Sequence, residues 1–96
     1  MSQNLYLIYG ESIMSNRLNV LILAAHLKGL KADEDGTLSI ISEFVEKHGE
    51  LLASRTCNEL YTAIQEYLIS WYTNERPMEY KLDKVVQLAY AIGTEV

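Results

Sequence analysis

A single cysteine, Cys57, excludes an internal disulfide, so nothing covalent staples this chain. Proline is as scarce, with Pro77 alone, and the one phenylalanine is Phe44. Basic residues number eight against thirteen acids, a formal net charge of −5. Nucleic acid and anionic membrane both need concentrated positive charge, so neither is expected as the main partner. No long hydrophobic run exists either. The longest apolar stretch, Val20 to Leu27, contains His26 and falls far short of the ~20 residues of a spanning helix. Residues 1–4 carry no basic side chain and Leu5 to Tyr9 is too short for a signal core, so a soluble cytoplasmic protein is expected. The unpaired cysteine agrees with a reducing compartment.

The balance of what is present is globular: 49% hydrophobic and 22% charged residues. Ninety-six residues make one domain, 1–96, with room for one core. Acids and bases are mixed along the chain, and the one tight cluster is Asp33-Glu34-Asp35.

Glycine punctuates helix-sized pieces. The first helix is expected from about Ser12 to Lys28, capped by Ser15 or Asn16 and closed by a left-handed Gly29 with Leu30 as its apolar contact. Leu18, Leu21, Ile22 and Ala25 form one stripe, and Val20, Leu23, Ala24 and Leu27 fill much of the other side. A helix apolar nearly all round is buried on both faces, as the central helix or as part of a subunit interface. A polar connection over residues 30–36 ends in an Asp35-Gly36 turn. The second helix, about Thr37 to His48, carries Leu38, Ile41, Phe44, Val45 and His48 on one stripe and stops at Gly49. Glu50 to Ala53 is ambiguous. Thr56-Cys57-Asn58-Glu59 fits a capping box opening a third helix, with Leu60, Ile64, Tyr67, Leu68 and Trp71 inward, to about Asn74. Pro77 suits the first turn of a last helix, striped by Leu82, Val85, Val86, Ala89 and Ile92 and stopped by Gly93. Short connections make sequential helices antiparallel neighbours. The expected fold is all-α, a compact antiparallel bundle of about four helices, with Leu5 to Tyr9 open to a short strand or an additional helix.

No catalytic or cofactor pattern stands out. His26, His48 and Cys57 are the whole set of soft metal ligands, too few for a zinc site. A Cys57/His48 nucleophile pair lacks an orienting third group and an oxyanion site at recognisable spacing. Glu43 and Glu46, and Glu59 and Glu66, read as solvated helix faces. The glycines are single, so no phosphate loop is present. No enzyme activity, cofactor or metal is expected.

Aromatic residues carry the functional reading. Tyr61, Tyr67, Trp71, Tyr72 and Tyr80 gather around one helix junction. Tyr67 and Trp71 share the core stripe, whereas Tyr72 and Tyr80 lie off it, beside Glu75 and Glu79. Tyrosine offers contact area with a polar tip at low entropic cost, so tyrosine beside acid makes a protein-binding surface. The candidate binding residues are Asp33, Glu34, Asp35, Tyr72, Glu75, Glu79 and Tyr80.

The stretch Glu43-Phe44-Val45-Glu46-Lys47-His48-Gly49-Glu50, followed by Cys57-Asn58-Glu59-Leu60-Tyr61, resembles the central segment of Maf-type polymorphic-toxin immunity proteins, which are small, acidic and helical. The closing segment Tyr80 to Gly93 is similar to theirs as well. The hairpin from Tyr72-Thr73-Asn74 to Ile92-Gly93 looks like the last two helices of class IIa bacteriocin immunity bundles. Together these cover about half the chain. The resemblance implies neutralisation of a toxin by direct binding and carries over no catalytic residue. An acidic inhibitor meeting a basic toxin gains electrostatic steering. The expected function is therefore a non-catalytic protein-binding protein, an immunity protein or inhibitor. The alternative is a homodimeric regulatory or scaffold protein that pairs through the Leu18–Leu27 helix.

Overall fold

The structure is a computed structural model, and it describes residues 16–73 and 79–94. The expectations for Leu5 to Tyr9, for capping by Ser15, and for Glu75 and Pro77 lie outside the described residues. Among the described residues the chain is all helix, without a strand. Helix α1 occupies 16–27, α2 Asp35–Lys47, α3 Gly49–Leu52, α4 Asn58–Tyr72 and α5 Glu79–Thr94. A 3-10 turn at Arg55–Cys57 leads into α4. Among the described residues no helix is long and apolar enough to cross a membrane.

Each long helix buries the stripe that its 3.6-residue period sets. These are Val20, Leu23, Ala24 and Leu27 on α1, and Thr37, Ile41 and Phe44 on α2. Helix α4 contributes Leu60, Ala63, Ile64, Tyr67 and Ser70, and α5 Leu82, Val85 and Ala89. Leu38, Val45, Leu68, Trp71, Val86 and Ile92 pack half-buried around them. The one-turn α3 resolves the ambiguous segment and plugs one end of the core with Leu52.

Gly29 closes α1 at φ 84, and Leu30 follows it against the core, as its left-handed cap requires. Four boundaries differ from the expected ones, the last of them at Gly93 in α5. Asp35 and Gly36 form the first turn of α2 rather than a turn before it. The helix breaks at His48 (φ −123, ψ 34), whose N–H still donates to the Phe44 carbonyl at 2.8 Å, so Gly49 opens α3 instead of stopping α2. The Thr56–Glu59 capping box does not form: Cys57 is the N-cap of α4, and no side chain caps it. The 3-10 turn supplies carbonyl acceptors in its place. Ser54 accepts from Cys57 N–H at 3.2 Å, and Arg55 accepts from Asn58 N–H.

Helix α1 is not the central helix. Its Val20 side is buried, but Leu18 is 56% and Ile22 41% exposed, and Ala25 is exposed beside them. Helix α4 carries the longest buried face instead.

Gly93 lies inside α5 and does not end it. A Cβ added there would sit 2.7 Å from Leu21 Cβ and 2.9 Å from Leu21 Cα and N, so the backbones of α5 and α1 touch. The alanine helix preference of ~1 kcal/mol cannot offset a clash with backbone, because overpacking costs ~1–3 kcal/mol and no flexible side-chain end can swing away. Gly93→Ala is expected to lower the chemical-denaturation midpoint. Gly36→Ala, where nothing lies within 4 Å, is expected to leave it unchanged or raise it by at most ~1 kcal/mol of stability.

Candidate functional site

At one end of the bundle the α1–α2 connection crosses the end of α4 and the start of α5. Connections run over surfaces because buried backbone must find hydrogen-bond partners. Ala32 breaks that habit, since it is fully buried in the connection. Both of its backbone groups are met by side chains from distant elements. The Tyr67 hydroxyl of α4 donates to the Ala32 carbonyl at 2.6 Å, and the Ala32 N–H donates to Glu79 Oε1 of α5 at 3.1 Å. One residue farther back, the Lys31 carbonyl accepts from the buried Thr37 hydroxyl at 2.7 Å. The polar turn is therefore held from α2, α4 and α5 together.

Burial holds the Tyr67 hydroxyl above its ordinary pKa. The nearby Trp71 indole N–H favours the ionised form, while the Asp33 and Glu79 carboxylates oppose it. The buried Trp71 N–H makes no hydrogen bond of normal geometry, so its pull on the phenol is partial. The balance keeps Tyr67 neutral, which it must be to donate to Ala32. On the neighbouring seam, Lys81 Nζ donates to Ser70 Oγ at 3.1 Å, and Ser70 donates to the Glu66 carbonyl at 3.0 Å.

These bonds assemble most of the sequence-derived candidates at one end. Asp33, Glu34 and Asp35 are exposed on the pinned turn and the first residue of α2. Glu79 is exposed too, and its carboxylate also serves as the acceptor for Ala32. Tyr72, 86% exposed, is the last residue of α4; Tyr80, 63% exposed, is in the first turn of α5. Glu75 lies outside the described residues. Lys28 and Lys31 in the same connection offset part of the acidic charge. Composition gave no sign of Ala32. Tyr67 read as core, which its full burial bears out, and the signal of its added role is a tyrosine where a phenylalanine would fill the same space.

The opposite end holds an open groove of about 950 Å³, whose lining includes Arg17, Lys47, His48, Glu50 and Cys57. It brings His48 and Cys57 to one place, but the Cys57 side chain is buried and the His48 ring packs on Phe44 with centroids 4.6 Å apart. His26 is exposed on α1, away from both. Among the described residues no group of His, Cys, Asp and Glu is arranged to hold a metal ion.

Comparison with protein-family models, with curated proteins and with solved structures finds no match to this chain.

Tyr67→Phe keeps the ring and leaves the Ala32 carbonyl buried without a donor, which costs ~1–3 kcal/mol. It also changes the alkaline limb. The folded phenol titrates above the unfolded value of ~10, so its contribution is complete below pH ~10 and lost as pH rises through the folded value. Denaturation midpoints measured upward from pH ~9 are expected to fall less steeply for Tyr67→Phe than for the wild type.

Proposed function

We propose that the protein acts by binding another protein at its acid–tyrosine end, as an immunity protein or inhibitor that occludes a basic toxin. The observation that carries this reading is the gathering of Asp33, Glu34, Asp35, Glu79, Tyr72 and Tyr80 at one end of the bundle, around a turn fixed at Ala32. A fixed turn loses little entropy when a partner docks, and two exposed tyrosines offer anchor area at low cost. The carboxylates suit a basic partner, whose approach they would steer. The likeness to toxin-immunity proteins in Glu43 to Glu50 and Cys57 to Tyr61 supports a toxin as that partner. On this reading the side chains work through complementarity and exclusion, and no residue has a catalytic role.

Co-purification with the product of the neighbouring gene tests the proposal. The expected result is a stable complex that weakens as salt is raised. Tyr72→Ala and Tyr80→Ala should each weaken it roughly thirtyfold or more, the loss of ~2 kcal/mol typical of an interface anchor. Asp33→Lys with Asp35→Lys should slow association. A complex whose affinity survives all four changes would place the binding surface elsewhere.

A further inference from the structure

Helix α1 has two apolar faces, and the bundle covers one. Val20, Leu23, Ala24 and Leu27 are buried in the core, whereas Leu18 is 56% and Ile22 41% exposed, and Ala25 is exposed with them. Leu18, Ile22 and Ala25 follow one another at steps of four and three residues, the spacing of a seam against which a second helix packs. Tyr90, one turn before Gly93 on α5, is 59% exposed and borders this seam, because Gly93 rests on Leu21.

Charge on the flanks of such a seam sets which helix pairs with it. Residues 16–32 hold three of the chain's eight bases, Arg17, Lys28 and Lys31, and none of its thirteen acids. Arg17, Leu21 and Lys28 stand at i, i+4 and i+11, so both cations fall on one line beside the seam. The Lys28 N–H donates to the Ala24 carbonyl at 3.0 Å, which carries the helical path to that residue. His26 is exposed on the other side of the seam. On α5 the line of Tyr90 carries one acid, Asp83, with Lys84 next to it. A second copy would bring the α1 cations against their own images. A helix with carboxylates flanking an apolar stripe meets them with opposite charge. An anionic bilayer offers that charge too, but it takes up helices whose far face is polar, and the far face of α1 is the core.

We propose that the exposed face of α1 docks an acidic amphipathic helix of another protein. The apolar stripe of that helix lies on Leu18, Ile22 and Ala25, and its carboxylates face the cationic line through Lys28. The acid–tyrosine end suits a partner of the opposite charge, so either surface can fail without the other.

Fluorescence anisotropy of labelled synthetic helices titrated with the full chain tests the proposal. The probe has leucine at a and d and glutamate at e and g over about three heptads, and its twin has glutamine in place of glutamate. The chain as a whole is acidic, so tighter binding of the glutamate helix can come only from local cations. The glutamate helix is expected to bind at least ~tenfold more tightly than its twin in low salt, with the preference shrinking as salt rises. Lys28→Glu should remove the preference, and Ile22→Glu should weaken both helices at least ~tenfold. Ile69→Glu, exposed on α4, should leave the preference in place. Should Ile22→Glu lose its helical circular dichroism, Leu18→Ala gives the same reading. Equal affinity for the two helices, no binding of either, or a preference that survives Lys28→Glu or disappears in Ile69→Glu would overturn the proposal. So would binding to vesicles of phosphatidylserine and phosphatidylcholine with neither helix bound.

Discussion

The rest of the molecule depends on how the backbone of Ala32 is satisfied. A buried peptide group without partners costs about as much as a lost hydrogen bond, and a connection has no helix ladder to supply them. Here Tyr67 and Glu79 provide a donor and an acceptor from two other helices. In doing so they tie the α1–α2 hairpin to the α4–α5 hairpin at a point far apart in sequence. The acidic turn is thus held by the same bonds that join the two halves of the fold. Stability and presentation of the proposed binding end share one cause.

The seam between α1 and α5 is a second constraint of a different kind. Contact between Gly93 and Leu21 is steric, and it sets how near two helix backbones lie. A close seam accompanies full burial of the inner stripe of α1, Val20, Leu23, Ala24 and Leu27. Among the described residues the four long helices bury one face of each, and Leu18, Ile22 and Ala25 on the outer face of α1 are exposed.

Much of the helical order was legible in the sequence because the 3.6-residue period is a local property. Ile41, Phe44, Leu60, Ile64, Leu82, Val85 and Ala89 fall on the expected stripes, and Gly29 caps as its position implies. Details that depend on contacts between elements were not legible. Thr56 and Glu59 have the right spacing for a cap, but the turn from Ser54 supplies backbone acceptors first. Gly93 sits where a stop belongs, yet what demands glycine there is Leu21, more than seventy residues earlier in the chain. Among the exposed candidates, Asp33 to Asp35 could be picked out as the one tight acidic cluster, and Tyr72 and Tyr80 because they lie off the stripes. Ala32 could not, because an alanine in a polar connection carries no mark of burial.

Hydrogen exchange at the Ala32 amide tests the central claim most directly. If the turn is clamped as described, that amide opens only with the global unfolding of the bundle, and its protection should match that of core amides in α4 such as Ile64. Exchange of Ala32 at the rate of an unprotected connection, with Ile64 still protected, would contradict the account.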